Sequence, residues 1–291
     1  MLYLPLLESF LRRTLSLSFF LTICISCSSD SDSEGLIEEE QQMECSIPLF
    51  IRYSNTQTYK LIYDYLGRLS KVDAGNISDE NKFSEEFGQD YGLSYKGDTI
   101  FVDFLPTDTR VLTILVKNDK VSELRRIYFP SGNTNIWDFQ YTPNSIRVNF
   151  NYYDYGLQNT YNWGFADYKL DDKDNVISVS KYEYDRGNPT EYYITESQVL
   201  THDNSQNIWH GFHIPFFTQT FFPDSQYFSK NNVLTIETTR FNEDGSENWT
   251  LQESYDYTYN EQGLPIQSTS STGDLQYFSY IGCPNWAWDD N

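Results

Sequence analysis

The feature that most constrains this chain is a two-residue alternation that recurs along most of its length. In Trp249 to Asn260 the set Trp249, Leu251, Tyr255, Tyr257 and Tyr259 points one way, and Thr250, Gln252, Ser254, Asp256 and Thr258 point the other. Such a period lays one face of an extended strand on a core and the other in water, whereas a helix would need apolar residues every three or four positions. Ile100, Val102 and Phe104 alternate in the same way, as do Ile146, Val148, Phe150 and Tyr152, and then Tyr161, Trp163 and Phe165. The run Val111 to Val116 is apolar at nearly every position, which suits a central strand. Short polar connections between such segments favour antiparallel neighbours. The expected fold class is therefore all-β: a single antiparallel meander of hairpins forming an open barrel or a strongly curved sheet.

The turns between the strands repeat a chemical signature. Tyr63-Asp64-Tyr65-Leu66-Gly67, Tyr182-Glu183-Tyr184-Asp185-Arg186-Gly187 and Tyr257-Thr258-Tyr259-Asn260-Glu261-Gln262-Gly263 share an aromatic pair, then Asp or Asn, then Gly. Phe241 to Gly245 and Tyr168 to Asn175 are looser copies. Asp or Asn opens a turn by bonding the backbone ahead of it, and Gly or Asn tolerates positive φ, so each copy reads as one strand-turn-strand unit. The pattern resembles the tyrosine-aspartate, or RHS-type, repeat. About five degenerate copies are too few to wind the closed shell that large RHS proteins build.

The start of the chain carries an address. Arg12 and Arg13 precede an apolar run from Thr14 to Ser26, which leads to Cys27 and then Ser-Ser-Asp-Ser-Asp-Ser-Glu. The run suits a secretion signal and is shorter than the roughly 20 residues of a spanning helix. Residues 1–26 resemble a bacterial lipoprotein signal peptide. That resemblance makes Cys27 the lipidated first residue of the mature protein, although Cys24 stands where Leu is usual. Residues 27–44 are polar and acidic and form an expected disordered tether; Asp30, Asp32 and Glu34 resemble a surface-export signal, and a plain solvated linker explains them equally well. Residues 45–291 form the expected β domain. Leader, repeat-like hairpins, length and the closing Tyr277-Phe278-Ser279-Tyr280-Ile281 strand together resemble a Bacteroidota lipoprotein family of unknown function with a porin-like β fold. The resemblance implies an outer-membrane location, lipid-anchored and surface-exposed, with a periplasm-facing orientation as the alternative.

Charge and cysteines narrow the partners. A formal net charge of −22 disfavours nucleic acid and anionic lipid headgroups, since a polyanion releases no counterions from another. Frequent turns argue against a membrane-spanning barrel, which needs tall outward apolar bands. Cys45 and Cys283 lie at opposite ends of the domain and either pair as a disulfide or remain buried thiols. His202, His210 and His213 are close in sequence but have no cysteine beside them, so no metal site is expected. Asp171 to Asn175 lacks the spacing of a calcium loop and reads as an acidic turn. No catalytic motif or cofactor fingerprint is present, so a non-catalytic binding or structural module is the expectation, with an envelope hydrolase as the lesser alternative. The load of 24 Tyr, 20 Phe and 6 Trp suits sugar stacking, with Trp286 and Trp288 as candidates, but Tyr is also simply a good strand residue. Expected partners are the membrane through the anchor, and a glycan or an envelope protein. Asn207 to Ser229, with eight Trp, Phe or Tyr residues and two prolines, does not alternate; it is expected to fold over a sheet face or plug the barrel mouth.

Overall fold

The computed structural model describes residues 48–53, 57–66, 68–77, 83–107, 109–128, 130–185, 191–210 and 224–280. Cys27, Cys45, His213, Cys283, Trp286 and Trp288 all lie outside these residues, as do the leader and the tether. Sixteen strands are found among the described residues. They are β1 (Pro48–Tyr53), β2 (Gln57–Tyr63), β3 (Leu69–Ile77), β4 (Phe83–Lys96), β5 (Thr99–Phe104), β6 (Thr109–Lys117), β7 (Lys120–Ile127) and β8 (Thr134–Thr142). The second half comprises β9 (Ser145–Asp154), β10 (Asn159–Leu170), β11 (Val176–Tyr184), β12 (Tyr192–Gln206), β13 (Asn231–Phe241), β14 (Glu247–Tyr259), β15 (Pro265–Ser270) and β16 (Leu275–Tyr280).

Each strand pairs antiparallel with the next, and β1 pairs with β16 through Ile51↔Phe278 and Tyr53↔Gln276. The single meander expected from the sequence is what forms, and this last ladder joins its ends into a ring. Closure leaves each described strand a neighbour on both sides, which removes exposed sheet edges.

One face of the ring is apolar and points inward. Ile100, Ile114, Leu124, Trp137 and Phe150 follow one another across β5 to β9 in register, and all are buried. The outward face carries ion pairs and hydroxyl pairs beside a few exposed apolar side chains such as Val199. Arg110 pairs with Asp103, Arg125 with Glu123 and Arg147 with Asp167 at 3.0, 2.7 and 2.6 Å, and Thr201 bonds Thr235. Exposed pairs of this kind contribute about 0–1 kcal/mol each, so their meaning lies in the solvent they require. A charge on a lipid-facing wall would cost on the order of 2–4 kcal/mol at mid-membrane. This ring is thus built the opposite way round from a lipid-embedded barrel.

The recurring turns share one construction. Asp64 N–H donates to the Arg68 carbonyl at 2.8 Å, while Asp64 Oδ1 accepts the N–H groups of Leu66 and Arg68 at 2.9 Å. Asp171 does the same with Lys173 and Asn175, and Asn260 with Gln262 and Leu264. The third residue after the acceptor takes positive φ, 65° at Asp174 and 78° at Gly263. The acidic cluster at 171–175 is therefore a turn whose carboxylate is occupied by its own backbone.

One alternation differs from its expected form. Tyr161 and Trp163 face inward, where Trp163 meets Phe150 and Tyr152, but Phe165 stacks outward on Tyr182 at 4.7 Å under Arg147. A bulge between Asn162 and Gly164 supplies the extra residue that flips the faces. Gly164 is required there because a Cβ would stand 2.0 Å from the Tyr182 carbonyl oxygen.

The two ends of the ring differ. Short turns at 64–68, 97–98, 118–119, 143–144, 171–175 and 260–264 gather at one end, together with the start of β1, the end of β16 and the long connection from β12 to β13. The described parts of that connection behave as a plug. Ile208 is buried, and Phe228 enters the interior against Phe139 at 6.2 Å and Tyr168 at 4.9 Å. Residues 211–223 lie outside the described set.

Two outcomes follow for unfolding in urea. Asn260→Ala, which orphans the N–H donors of Gln262 and Leu264, should lower stability by about 1 kcal/mol while Asn260→Asp stays near the parent. Gly164→Ala should cost roughly 1–3 kcal/mol through the carbonyl clash, and an unchanged midpoint would contradict the bulge.

Candidate functional site: the inner wall of the open end

Between β10 and β14 the inward face changes character, and Asp224 of the returning plug segment lies within electrostatic reach of that wall. Val148, Ala166, Lys181, Glu196, Arg240 and Trp249 form one continuous row across β9 to β14, each the direct partner of the next. The first two are fully buried, and the rest are charged or aromatic. Facing residues on neighbouring strands stand about 5 Å apart, so register alone brings the four side chains together.

Glu196 is the hub. Its Oε1 meets Lys181 Nζ at 2.6 Å and accepts from Gln198 Nε2 at 3.0 Å, while Oε2 accepts from Arg240 Nε at 3.2 Å. The carboxylate is nearly buried, so two cations and an amide compensate what would otherwise be an expensive charge. Arg240 is held from the other side by the ring of Trp249, 5.3 Å from its guanidinium carbon. Its side chain is nevertheless 57% exposed, and Trp249 is 41% exposed. Terminal nitrogens of Arg240 thus remain turned to solvent, fixed in place by a carboxylate and an aromatic face.

Asp224, where the plug segment re-enters, adds a second carboxylate. The residue is exposed to solvent, with Lys181, Glu196 and Glu253 within electrostatic reach of its carboxylate. Burial pushes its carboxyl above the ordinary range, Lys181 pulls it back, and Glu196 and Glu253 push it up again. Glu253 lies on β14 in the inward set of Trp249 and Tyr255, and is half-buried. A carboxyl held up by burial and by like charges marks a candidate functional position.

Aromatic residues rim the same end. Trp137 and Phe150 pack at 5.2 Å, and Trp163 meets Phe150 and Tyr152 at 6.4 and 6.3 Å. Leu251 and Tyr161 stay exposed near the open end of β14 and β10.

The plugged end is bonded shut by a different network. Asn175 Nδ2 donates to Asn231 Oδ1, Asn207 Nδ2 to the carbonyls of Gln226 and Ser229, and Tyr259 OH to Asp203 Oδ2. His202 Nε2 stands 3.1 Å from Ser229 Oγ, which already donates to the Ser225 carbonyl, so the histidine nitrogen is the donor. Burial lowers the His202 pKa, with Asp171 and Asp203 opposing. This histidine latches the plug. A small cavity between the plug and β13 to β16 is lined by Trp209, Tyr255, Tyr257 and Phe278.

Sequence reasoning placed its ligand candidates at Trp286 and Trp288, outside the described residues, and missed Lys181, Glu196 and Arg240. A signal existed. Each occupies an inward position of its strand, in step with Val179, Leu200 and Ile236, where an apolar residue would be the default.

No protein-family model and no curated protein matches this sequence. Among solved structures, a porin-like protein from Bacteroides vulgatus aligns with a TM-score of 0.53 at 12% identity, covering 81% of this chain and 98% of that one. A porin-like protein from Bacteroides uniformis aligns at 0.44 with 14% identity, over 80% and 97% of the two chains. A protein of unknown function from Bacteroides fragilis gives 0.29 at 8% identity, over 53% and 90%. The first likeness is one of fold: this chain has a porin-like, all-antiparallel β architecture.

The raised Asp224 carboxyl has a definite sign. Below its ordinary pKa of 3.8 both folded and unfolded chains hold the proton. As pH rises, the unfolded chain releases it first, so the folded state loses stability. Asp224→Asn should therefore raise the thermal midpoint at about pH 7, with the gain shrinking toward pH 4. A midpoint lowered at neutral pH would contradict the raised carboxyl.

Proposed function

We propose that this chain is a lipid-anchored cell-envelope protein, non-catalytic, whose open end binds a ligand while the plugged end faces the bilayer. The observation that carries this reading is topological. β1 begins at the plugged end, and Pro48 follows Cys27 by only 21 residues. If the stretch behaves as the disordered tether expected from its sequence, its r.m.s. span is about 25 Å, which favours the near end of the barrel over the far one at the membrane. Lipid on Cys27 contributes roughly 0.8 kcal/mol per buried methylene, so the body needs no apolar belt of its own. The ion pairs on the outward face agree with that division of labour. Likeness of fold to a porin-like Bacteroides protein, and the acidic residues after Cys27, support an outer-membrane setting with surface exposure.

A purely structural role with an envelope protein as partner is the second reading, favoured by the exposed Leu251 and Tyr161 near the open end.

Two measurements test the proposal. Cys27→Ser should move the protein from the membrane fraction to the soluble one and abolish fatty-acid labelling; retention at the membrane would refute the anchor. In cells carrying the anchored protein, a membrane-impermeant maleimide should modify Asp244→Cys, in the open-end turn, faster than Gln262→Cys, in the plugged-end turn. Equal or reversed rates would overturn the orientation.

A further inference from the structure

We propose that the charged wall of the open end is a saccharide site: a neutral sugar stacked on Trp249, with its hydroxyls bridged between Arg240 and Lys181 on one side and Asp224 and Glu253 on the other. This names the ligand class of the binding face described above, and it does not depend on the lipid anchor.

Unfilled hydrogen-bonding capacity identifies the ligand's chemistry. Arg240 spends its Nε on Glu196, and its terminal nitrogens donate to nothing among the described residues. Lys181 bonds Glu196 alone. The carboxylates of Asp224 and Glu253 accept no hydrogen bond among the described residues, although Asp224 senses both Lys181 and Glu253. The wall therefore presents two cations with spare donors and two carboxylates with spare acceptors on one solvent-reached inner surface. A ligand bearing a carboxylate or phosphate would meet Asp224 and Glu253 at close quarters, and a cationic ligand would meet Arg240 and Lys181. Either would leave one pair of charges desolvated and repelled.

A neutral polyhydroxyl ligand avoids both penalties. Each hydroxyl donates once and accepts twice, so neighbouring hydroxyls on a sugar ring satisfy a carboxylate and a guanidinium together. Charge-assisted bonds of this kind are the stronger sort. Trp249 supplies an exposed apolar plate for the C–H face of the ring, and it is pinned by Arg240, so little ordering entropy is lost on binding. The chain's net charge of −22 excludes polyanionic glycans at long range and leaves neutral ones unaffected.

The test is titration of the leaderless protein with neutral hexasaccharides of gluco-, manno-, galacto- and xylo- type, alongside an oligogalacturonate and a lysine-rich peptide. Tryptophan fluorescence and calorimetry are the readouts. At least one neutral sugar should bind saturably below about 10 mM, and Trp249→Ala and Arg240→Gln should each weaken it about tenfold or more. The outward Thr250→Ala should leave binding unchanged, and thermal midpoints near the parent's confirm that the variants are folded. Binding that survives both inward substitutions, or binding of only the oligogalacturonate or the peptide, would overturn the proposal. So would the absence of any binding, and in that event membrane fractionation of Cys27→Ser still decides the anchor by itself.

Discussion

Pairing of β1 with β16 turns a ribbon of hairpins into a ring, and a ring has an inside. Once the ends meet, the two-residue period of every strand is sorted into residues that share the interior and residues that meet solvent. The buried set from Ile51 through Val102, Val148 and Phe278 becomes one core, and the ion pairs Asp103–Arg110 and Arg147–Asp167 are forced outward. Cross-strand register then extends each inward residue into a row around the wall. The inner wall changes character where such a row stops being apolar.

That change occurs between Ala166 and Lys181. On the β5 to β10 side the interior is packed with aliphatic and aromatic side chains, and Phe228 of the plug fills what remains near Tyr168. On the β11 to β14 side the row continues as Lys181, Glu196, Arg240 and Trp249. A charged group on an inward position is costly to keep unless it is compensated or solvated. Here Glu196 is compensated and Arg240 is solvated, so the wall combines rigid placement with open hydrogen-bonding capacity. A porin-like architecture therefore does not carry a porin's chemistry: its apolar face is within and its charges are on both the outer surface and one inner wall.

Much of this was legible before the structure. The faces of β14 follow directly from Trp249, Leu251, Tyr255 and Tyr257, and the turns at Asp64, Asp171 and Asn260 follow from an acidic or amide side chain capturing its own backbone. The aromatic segment after β12 was expected to cover or plug the interior, and its described ends do enter it at Ile208 and Phe228. Bulges were not legible, because one extra residue at Trp163 reverses the faces of all that follow, so that Phe165 turns outward. Closure was not legible either, since β1 is short and its partner lies at the other end of the chain. The charged row depends on register summed over four strands, and no local pattern encodes that sum.

Sedimentation of the chain freed of its leader, in buffer without detergent, tests the central claim of an apolar interior and a water-facing exterior most directly. A soluble, compact species with the β-sheet signal of the folded ring is expected. Aggregation relieved only by detergent or lipid would contradict it, because it would mean that the ring's outer face is built for a membrane.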